Sequence, residues 1–108
     1  MNDKPILYRP YRSDRPNKFF YIINDEFKKI YFGDSRYQHY TQGHLEEKRK
    51  QSYIKRHKRK EDWYDPNTPA FWSRWFLWEY PTYDEALKNI KKYMDDIKWL
   101  NEYQQSYI

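Results

Sequence analysis

The side chains best suited to acid–base or metal chemistry are three histidines, His39, His44 and His57, together with Asp34 and Glu61. An enzyme or a metal centre would need several of them to converge on one point. The histidine spacing matches no zinc-binding pattern, and the chain has no cysteine that could complete one. We therefore expect no metal site and no catalytic site, and an enzyme built on these histidines is the third hypothesis for function.

Nucleotide-dependent enzymes hold phosphates in glycine-rich loops, whereas this chain has only two glycines, Gly33 and Gly43. Neighbouring carboxylates such as Glu46 and Glu47 point about 100° apart on a helix, which is poor geometry for sharing a proton. The sequence therefore predicts no cofactor, no small-molecule substrate and no enzymatic activity.

Positive charge is concentrated in one segment of the chain. Between His44 and Lys60, eight lysines and arginines stand against two glutamates, a local excess of six positive charges, although the whole chain carries only +5. A focused patch of this kind raises the local concentration of an anionic partner. Nucleic acid and acidic protein surfaces are therefore the candidate partners.

The same segment predicts a basic helix over residues 44–60, because no proline or glycine follows Gly43 within it. At 100° per residue, most of its basic side chains share a broad face opposite Tyr53, Ile54 and His57. The residues predicted to bind the anionic partner are Lys48, Arg49, Lys55, Arg56, Arg59 and Lys60. Aromatic residues near this helix would offer stacking surfaces for bases: Tyr37, Tyr40, Tyr53, Trp63 and Tyr64. A solvated helix face beside an aromatic core is the alternative interpretation.

Residues 1–17 predict an extended arm, because three prolines remove backbone donors and disfavour a helix. Within this arm, the stretch from Ile6 to Tyr8 is predicted to dock as a short edge strand. The arm residues expected to contact a partner are Arg9, Arg12 and Arg15.

Residues 18–33 predict a β-hairpin. Two runs of aromatic and β-branched residues, 18–23 and 27–32, flank the polar stretch Asn24-Asp25-Glu26, and Gly33 closes the second run. This pattern is typical of two antiparallel strands joined by a short turn.

Residues 68–79 predict a Trp-rich helix, which we call the Trp-rich segment. Asn67 or Thr68 is placed to cap it, and Pro69 suits its first helical position. Because the stretch from Phe71 to Trp78 is the most apolar of the chain, we expect it to form the centre of the core.

Residues 83–103 predict a C-terminal amphipathic helix. Thr82 and Glu85 have the spacing of a capping box, and apolar residues then recur at helical intervals. Together these elements predict one α+β domain over residues 1–108, in which an arm and a hairpin or small antiparallel sheet precede about three helices around an aromatic core. Since the chain has no apolar run of about 18 residues, we predict no membrane insertion.

Several short motifs resemble a small uncharacterised domain of large double-stranded DNA viruses. The most specific part is the Trp-rich stretch Phe71-Trp72-Ser73-Arg74-Trp75, followed by Leu77-Trp78 and Pro81-Thr82. The strand end Lys29-Ile30-Tyr31-Phe32-Gly33 and the helical pattern Arg49, Tyr53-Ile54, Arg56-His57 also belong to the resemblance. Its remaining residues are Tyr40-Thr41, Glu61, Trp63 and Asp65-Pro66.

The resemblance implies a viral origin and carries no activity that can be transferred to individual residues. It favours a virion structural component, such as a minor capsid or cement-type protein, found in the virion and in the host cytoplasm or nucleus during assembly. The expected partners are capsid subunits or nucleic acid, reached through the basic helix. The alternative hypothesis is a sequence-nonspecific nucleic-acid-binding protein.

Overall fold

The structure, a computed structural model, describes residues 4–105, with side chains described for residues 4–97. Three antiparallel strands form one sheet in the order β1-β2-β3: Tyr11–Arg12, Lys18–Ile23 and Lys29–Asp34. Helical segments follow the sheet along the chain. The predicted α+β class with a small antiparallel sheet is confirmed.

The hairpin turn between β2 and β3 is built around a buried asparagine. The Asn24 side-chain oxygen accepts hydrogen bonds from the backbone N–H groups of Glu26 and Lys28, both at 3.0 Å. Phe27 lies in this turn with φ of 61°, and its side chain is 72% exposed. The prediction that the second strand begins at Phe27 is therefore wrong, because a residue with positive φ cannot continue an extended ladder.

The N-terminal segment supplies an edge strand, but at a different place from the one predicted. Tyr8 has φ of 58° and makes a single backbone hydrogen bond to the Ile23 carbonyl oxygen at 2.9 Å. Since Pro10 has no donor, regular pairing starts only at Tyr11, which lies opposite Tyr21. The predicted strand from Ile6 to Tyr8 is thus replaced by β1. Residues 1–3 of the predicted arm lie outside the described residues.

The basic helix, α1, spans Glu47–His57 and is shorter than the predicted range of 44–60. A wide turn over Tyr40–His44 precedes it, closed by a hydrogen bond from the Leu45 N–H to the Tyr40 carbonyl oxygen at 3.2 Å. Leu45 has φ of 55°, which delays the start of the helix. Residues 58–60 form a turn after its last residue.

The helical structure of the Trp-rich segment starts as predicted but ends at Leu77, before the predicted end at residue 79. The helix α2, Pro69–Trp72, is capped by Thr68, whose Oγ1 accepts a hydrogen bond from the Phe71 N–H at 3.3 Å. A π-helical turn, Ser73–Leu77, follows directly. The remaining residues up to Glu79 are irregular.

The core lies where the Trp-rich segment packs between the sheet and the last helix, α3, Tyr83–Gln105. Its buried side chains are Ile22, Phe32, Phe71, Trp72, Phe76, Leu77, Ala86 and Ile90. The prediction that the Trp-rich segment forms the centre of the core is confirmed. The α3 helix begins as expected, since the Thr82 Oγ1 accepts a hydrogen bond from the Glu85 N–H at 3.2 Å.

No helix in the described part of the chain combines the length and the apolar character needed to cross a bilayer.

Candidate anion-binding groove

A groove of about 770 Å³ lies between α1, the end of β3 and the Trp-rich segment, and we call it the basic groove. One wall is α1, which contributes Lys48, Arg49, Ser52, Tyr53, Arg56 and His57. The facing wall comes from the sheet and the loop after β3, with Lys18, Gly33, Asp34, Tyr37, Gln38 and His39. Its buried and half-buried floor includes Phe32, Leu77 and Trp78.

Two cations of the α1 wall, Lys48 and Arg56, lie two helical turns apart in the groove lining. Lys48, Ser52 and Arg56 follow one another at intervals of four residues, each turned about 40° from the one before, and all three line the groove. With a rise of about 1.5 Å per residue, the Cα atoms of Lys48 and Arg56 are about 12 Å apart. The Ser52 Oγ donates a hydrogen bond to the Lys48 carbonyl oxygen at 3.1 Å. The basic groove therefore presents two spaced positive charges with a small neutral side chain between them.

Aromatic stacking fixes the rotation of α1. The Tyr53 ring lies parallel to the Trp78 ring, with centroids 4.5 Å apart, and His57 packs on the same tyrosine at 4.4 Å. The His57 Nδ1 lies 2.8 Å from a Glu61 carboxylate oxygen, and the Trp63 indole N–H donates to the other oxygen at 3.1 Å. Burial raises the pKa of Tyr53 above its usual range. These contacts turn the helix so that Lys48 and Arg56 face the groove.

A half-buried ion network ties α1 to the Trp-rich segment. The Glu79 carboxylate pairs with Lys50 Nζ at 3.2 Å and with the Arg74 guanidinium at 2.9 Å. Lys50 also donates to the Glu79 carbonyl oxygen at 2.9 Å. The Arg74 guanidinium carbon lies 5.2 Å from the Trp63 ring centroid and 4.5 Å from that of Trp75, within cation–π range of both. Lys50 therefore positions the helix and is not part of the exposed basic face.

The structure divides the six residues predicted to bind an anion into two sets. Lys48, Arg49 and Arg56 line the basic groove. The other three, Lys55, Arg59 and Lys60, are exposed and lie outside its lining. A role for the outer three in anion binding stays a prediction.

The arm arginines are exposed and do not line the basic groove. The Arg15 guanidinium carbon lies 3.9 Å from the centroid of the Tyr31 ring on the sheet. Asp14 beside it accepts a hydrogen bond from the Tyr31 hydroxyl at 2.6 Å. The arm is thus tied to its own sheet at Arg15, whereas partner contacts by Arg9 and Arg12 stay a prediction.

The acidic groups of the basic groove already have partners within the protein. Two Arg36 nitrogens hydrogen-bond the Asp34 carboxylate, which lowers the pKa of Asp34 to about 2. Arg49 pairs with Glu46 at 3.2 Å. Among the side chains that the structure describes, Lys48 and Arg56 form no ion pair. These two residues therefore carry the positive charge on the α1 wall of the groove that no carboxylate offsets.

The three histidines serve different structural contacts. The His39 Nε2 lies 2.7 Å from the Tyr83 hydroxyl, and burial lowers the pKa of His39 to about 4. The His44 ring packs against Trp78, with centroids 5.3 Å apart. Within the described part of the chain, no three His, Asp or Glu residues are close enough to hold a metal ion.

Tyr37 is the exposed aromatic residue at the edge of the basic groove. It is 64% exposed and lines the groove, and the Arg36 guanidinium carbon lies 5.5 Å from its ring centroid. Of the other aromatic residues predicted to stack on bases, only Tyr53 lines the groove, and it is buried. Tyr64 is exposed beside a separate apolar hollow.

Sequence reasoning missed Lys18, which adds a positive charge to the wall opposite α1. Its position at the start of β2 was predicted, but the pairing of Lys18 with Asp34 brings it to the groove. The signal available in the sequence was Lys18 itself, a basic residue at the first position of the predicted first strand.

Residues 9–57 of the chain match a family of unknown function (DUF5754). The matched stretch contains the three strands, α1 and both walls of the basic groove, and it ends before the Trp-rich segment that forms the floor. Comparison with curated proteins finds no match, and neither does comparison with solved structures.

Proposed function

We propose that this protein is a non-enzymatic viral structural protein, a minor capsid or cement-type component of the virion, which binds its partner through the basic groove. The observation that supports this most is that Lys48 and Arg56 both line one groove and form no ion pair with a carboxylate among the described side chains. An anionic partner would supply the missing counter-charges. Neighbouring capsid subunits and the genome are the two partners with suitable chemistry.

The geometry of the groove favours binding over catalysis. His57 is held by Glu61 and stacked on Tyr53, and His39 is buried against Tyr83. We take both rings as packing and hydrogen-bonding groups of the walls, since Tyr53 and Glu61 hold His57 and burial lowers the pKa of His39 to about 4.

The viral assignment is supported by the resemblance of the Trp-rich segment and its neighbouring motifs. In the structure these motif residues have two roles. Phe71, Trp72 and Leu77 belong to the core, and Trp78 stacks on Tyr53 of α1. We propose that the protein acts in the virion and is found in the host cytoplasm or nucleus during assembly. The alternative, a sequence-nonspecific nucleic-acid-binding protein, would use the same groove.

Purified particles of the virus that encodes the chain provide the test. We expect quantitative mass spectrometry to find the protein at a fixed ratio to the major capsid protein, and to find less of the variant Lys48→Glu/Arg56→Glu. The control Lys55→Glu/Arg59→Glu changes the same number of charges on the same segment outside the groove and should be retained. Absence of the wild-type protein from washed particles would overturn the assignment.

A further inference from the structure

We infer that the basic groove binds single-stranded nucleic acid, with backbone phosphates on Lys48 and Arg56 and a base stacked on Tyr37. The inference rests on the proposed function, because it takes the groove as the partner-binding surface, and it names the chemical class of that partner. Two separate observations support it: the positions of the cations on α1 and the exposure of the Tyr37 ring.

The first argument is the spacing of the two free cations. Lys48 and Arg56 are about 12 Å apart along the helix. A stacked strand advances about 3.4 Å per nucleotide, so this distance covers about three to four nucleotides. Lys18 on the facing wall provides a third cation across the groove. The walls therefore follow a short length of phosphate backbone instead of surrounding a single small anion.

The second argument is the exposure of Tyr37. Packing does not account for this residue, since its ring is 64% exposed and its only aromatic or cationic ring contact among the described side chains is with Arg36 at 5.5 Å. A base stacked on such a ring gains affinity whatever its sequence. The exposed ring beside cations spaced along a phosphate backbone is the combination that single-strand binders use, so we take nucleic acid as the partner.

The third argument is that both cations line the groove, although their side chains are exposed to solvent. Lys48 and Arg56 line a groove between α1 and the end of β3, where a single strand can enter. A rigid duplex would instead meet the outward-facing residues Lys55 and Arg59, which lie outside the groove. The carboxylate of Asp34 does not oppose a strand strongly, because the Arg36 guanidinium already neutralises it.

Fluorescence anisotropy with a labelled oligothymidine strand, over a salt series, tests the inference on the full-length protein. We expect Lys48→Ala/Arg56→Ala to weaken binding about 25-fold at about 0.1 M salt and to reduce the salt slope by about 1.4, which corresponds to two lost phosphate contacts. The matched control Lys55→Ala/Arg59→Ala removes the same charge outside the groove. It should change the affinity by less than about threefold, which is well below the effect expected for two lost phosphate contacts.

The aromatic contact is tested separately. Tyr37→Ala should weaken strand binding by about 5- to 150-fold, the range for loss of one stacked base, whereas Tyr37→Phe should restore it. Tyr64→Ala, a substitution of a similarly exposed tyrosine away from the groove, is the matched control. Unchanged melting temperatures will show that each variant is folded.

Three outcomes would overturn the inference. Equal losses in the groove and control pairs would mean that net charge alone drives binding. Tighter binding of a duplex of the same length would mean that the groove is not the contact surface. Binding of polyglutamate but not of the strand would assign the groove to an acidic protein partner, and this result would leave the proposed virion function standing.

Discussion

The buried imidazole of His39 makes a quantitative prediction about stability and pH. Its side chain is 8% exposed, its Nε2 lies 2.7 Å from the Tyr83 hydroxyl, and its Nδ1 has no hydrogen-bond partner among the described residues. A protonated ring would need two acceptors and would hold a charge away from water. For this reason burial, with a smaller contribution from His44, lowers the pKa of His39 from 6.5 to about 4.

The direction of the effect follows from proton linkage. Between pH 6.5 and pH 4 the unfolded chain binds a proton at His39 and the folded chain does not, so the free energy of unfolding falls as the pH falls. Each unit between the two pKa values is worth about 1.4 kcal/mol, which gives a loss of about 3 kcal/mol across this window. Above pH 6.5 both states are neutral at this position, and no further change is expected from it.

Urea denaturation of the wild-type protein and His39→Gln at pH 7 and pH 4 measures this contribution. The variant cannot titrate, so its loss of stability between the two pH values should be about 3 kcal/mol smaller than that of the wild type. Other titrating groups cancel in this comparison. If His39→Gln does not fold, an NMR titration of the wild-type imidazole should show no protonation down to about pH 5. Parallel pH dependence of the two proteins, or a normal titration, would refute the reasoning.

Two further predictions concern the elements that shape the basic groove. Glu79→Gln removes the carboxylate that Lys50 and Arg74 share, so urea denaturation should show a loss of about 2 kcal/mol, between the values for exposed and buried pairs, and a loss below about 0.5 kcal/mol would contradict a stabilising network. Gly33→Ala should cost about 2–4 kcal/mol, because Gly33 has φ of 80° and an added Cβ would lie 2.9 Å from the Leu77 Cδ1. An unchanged melting temperature for Gly33→Ala would show that the strand end can shift freely.

Local patterns in the sequence predicted those elements whose signals are local. The Thr68 cap with Pro69, the Thr82 cap and the hairpin around Asn24 all depend on residues within a few positions of one another. The aromatic core was predictable for a similar reason, because no other stretch is as apolar as the one from Phe71 to Trp78. Such features require no knowledge of the tertiary arrangement.

The errors arose where a single backbone conformation interrupts an otherwise regular pattern. Tyr8, Phe27 and Leu45 each adopt positive φ although none is a glycine. The residue types do not predict this conformation, since bulky residues rarely adopt positive φ. As a result the edge strand moved from Ile6 to Tyr11, and the basic helix began later than composition suggested.

The division of the basic face could not be predicted, because distant contacts decide it. Helical periodicity places Lys48 and Lys55 only about 20° apart, yet the structure places one inside the basic groove and the other outside it. The rotation that separates them is fixed by Tyr53 on Trp78 and by Lys50 on Glu79, across 25 and 29 residues of chain. The number of positive charges in the segment therefore does not predict which of them line the groove.

If the groove is the binding surface, loosening either distant contact should weaken anion binding as much as removing a groove cation does, although neither contact touches the ligand.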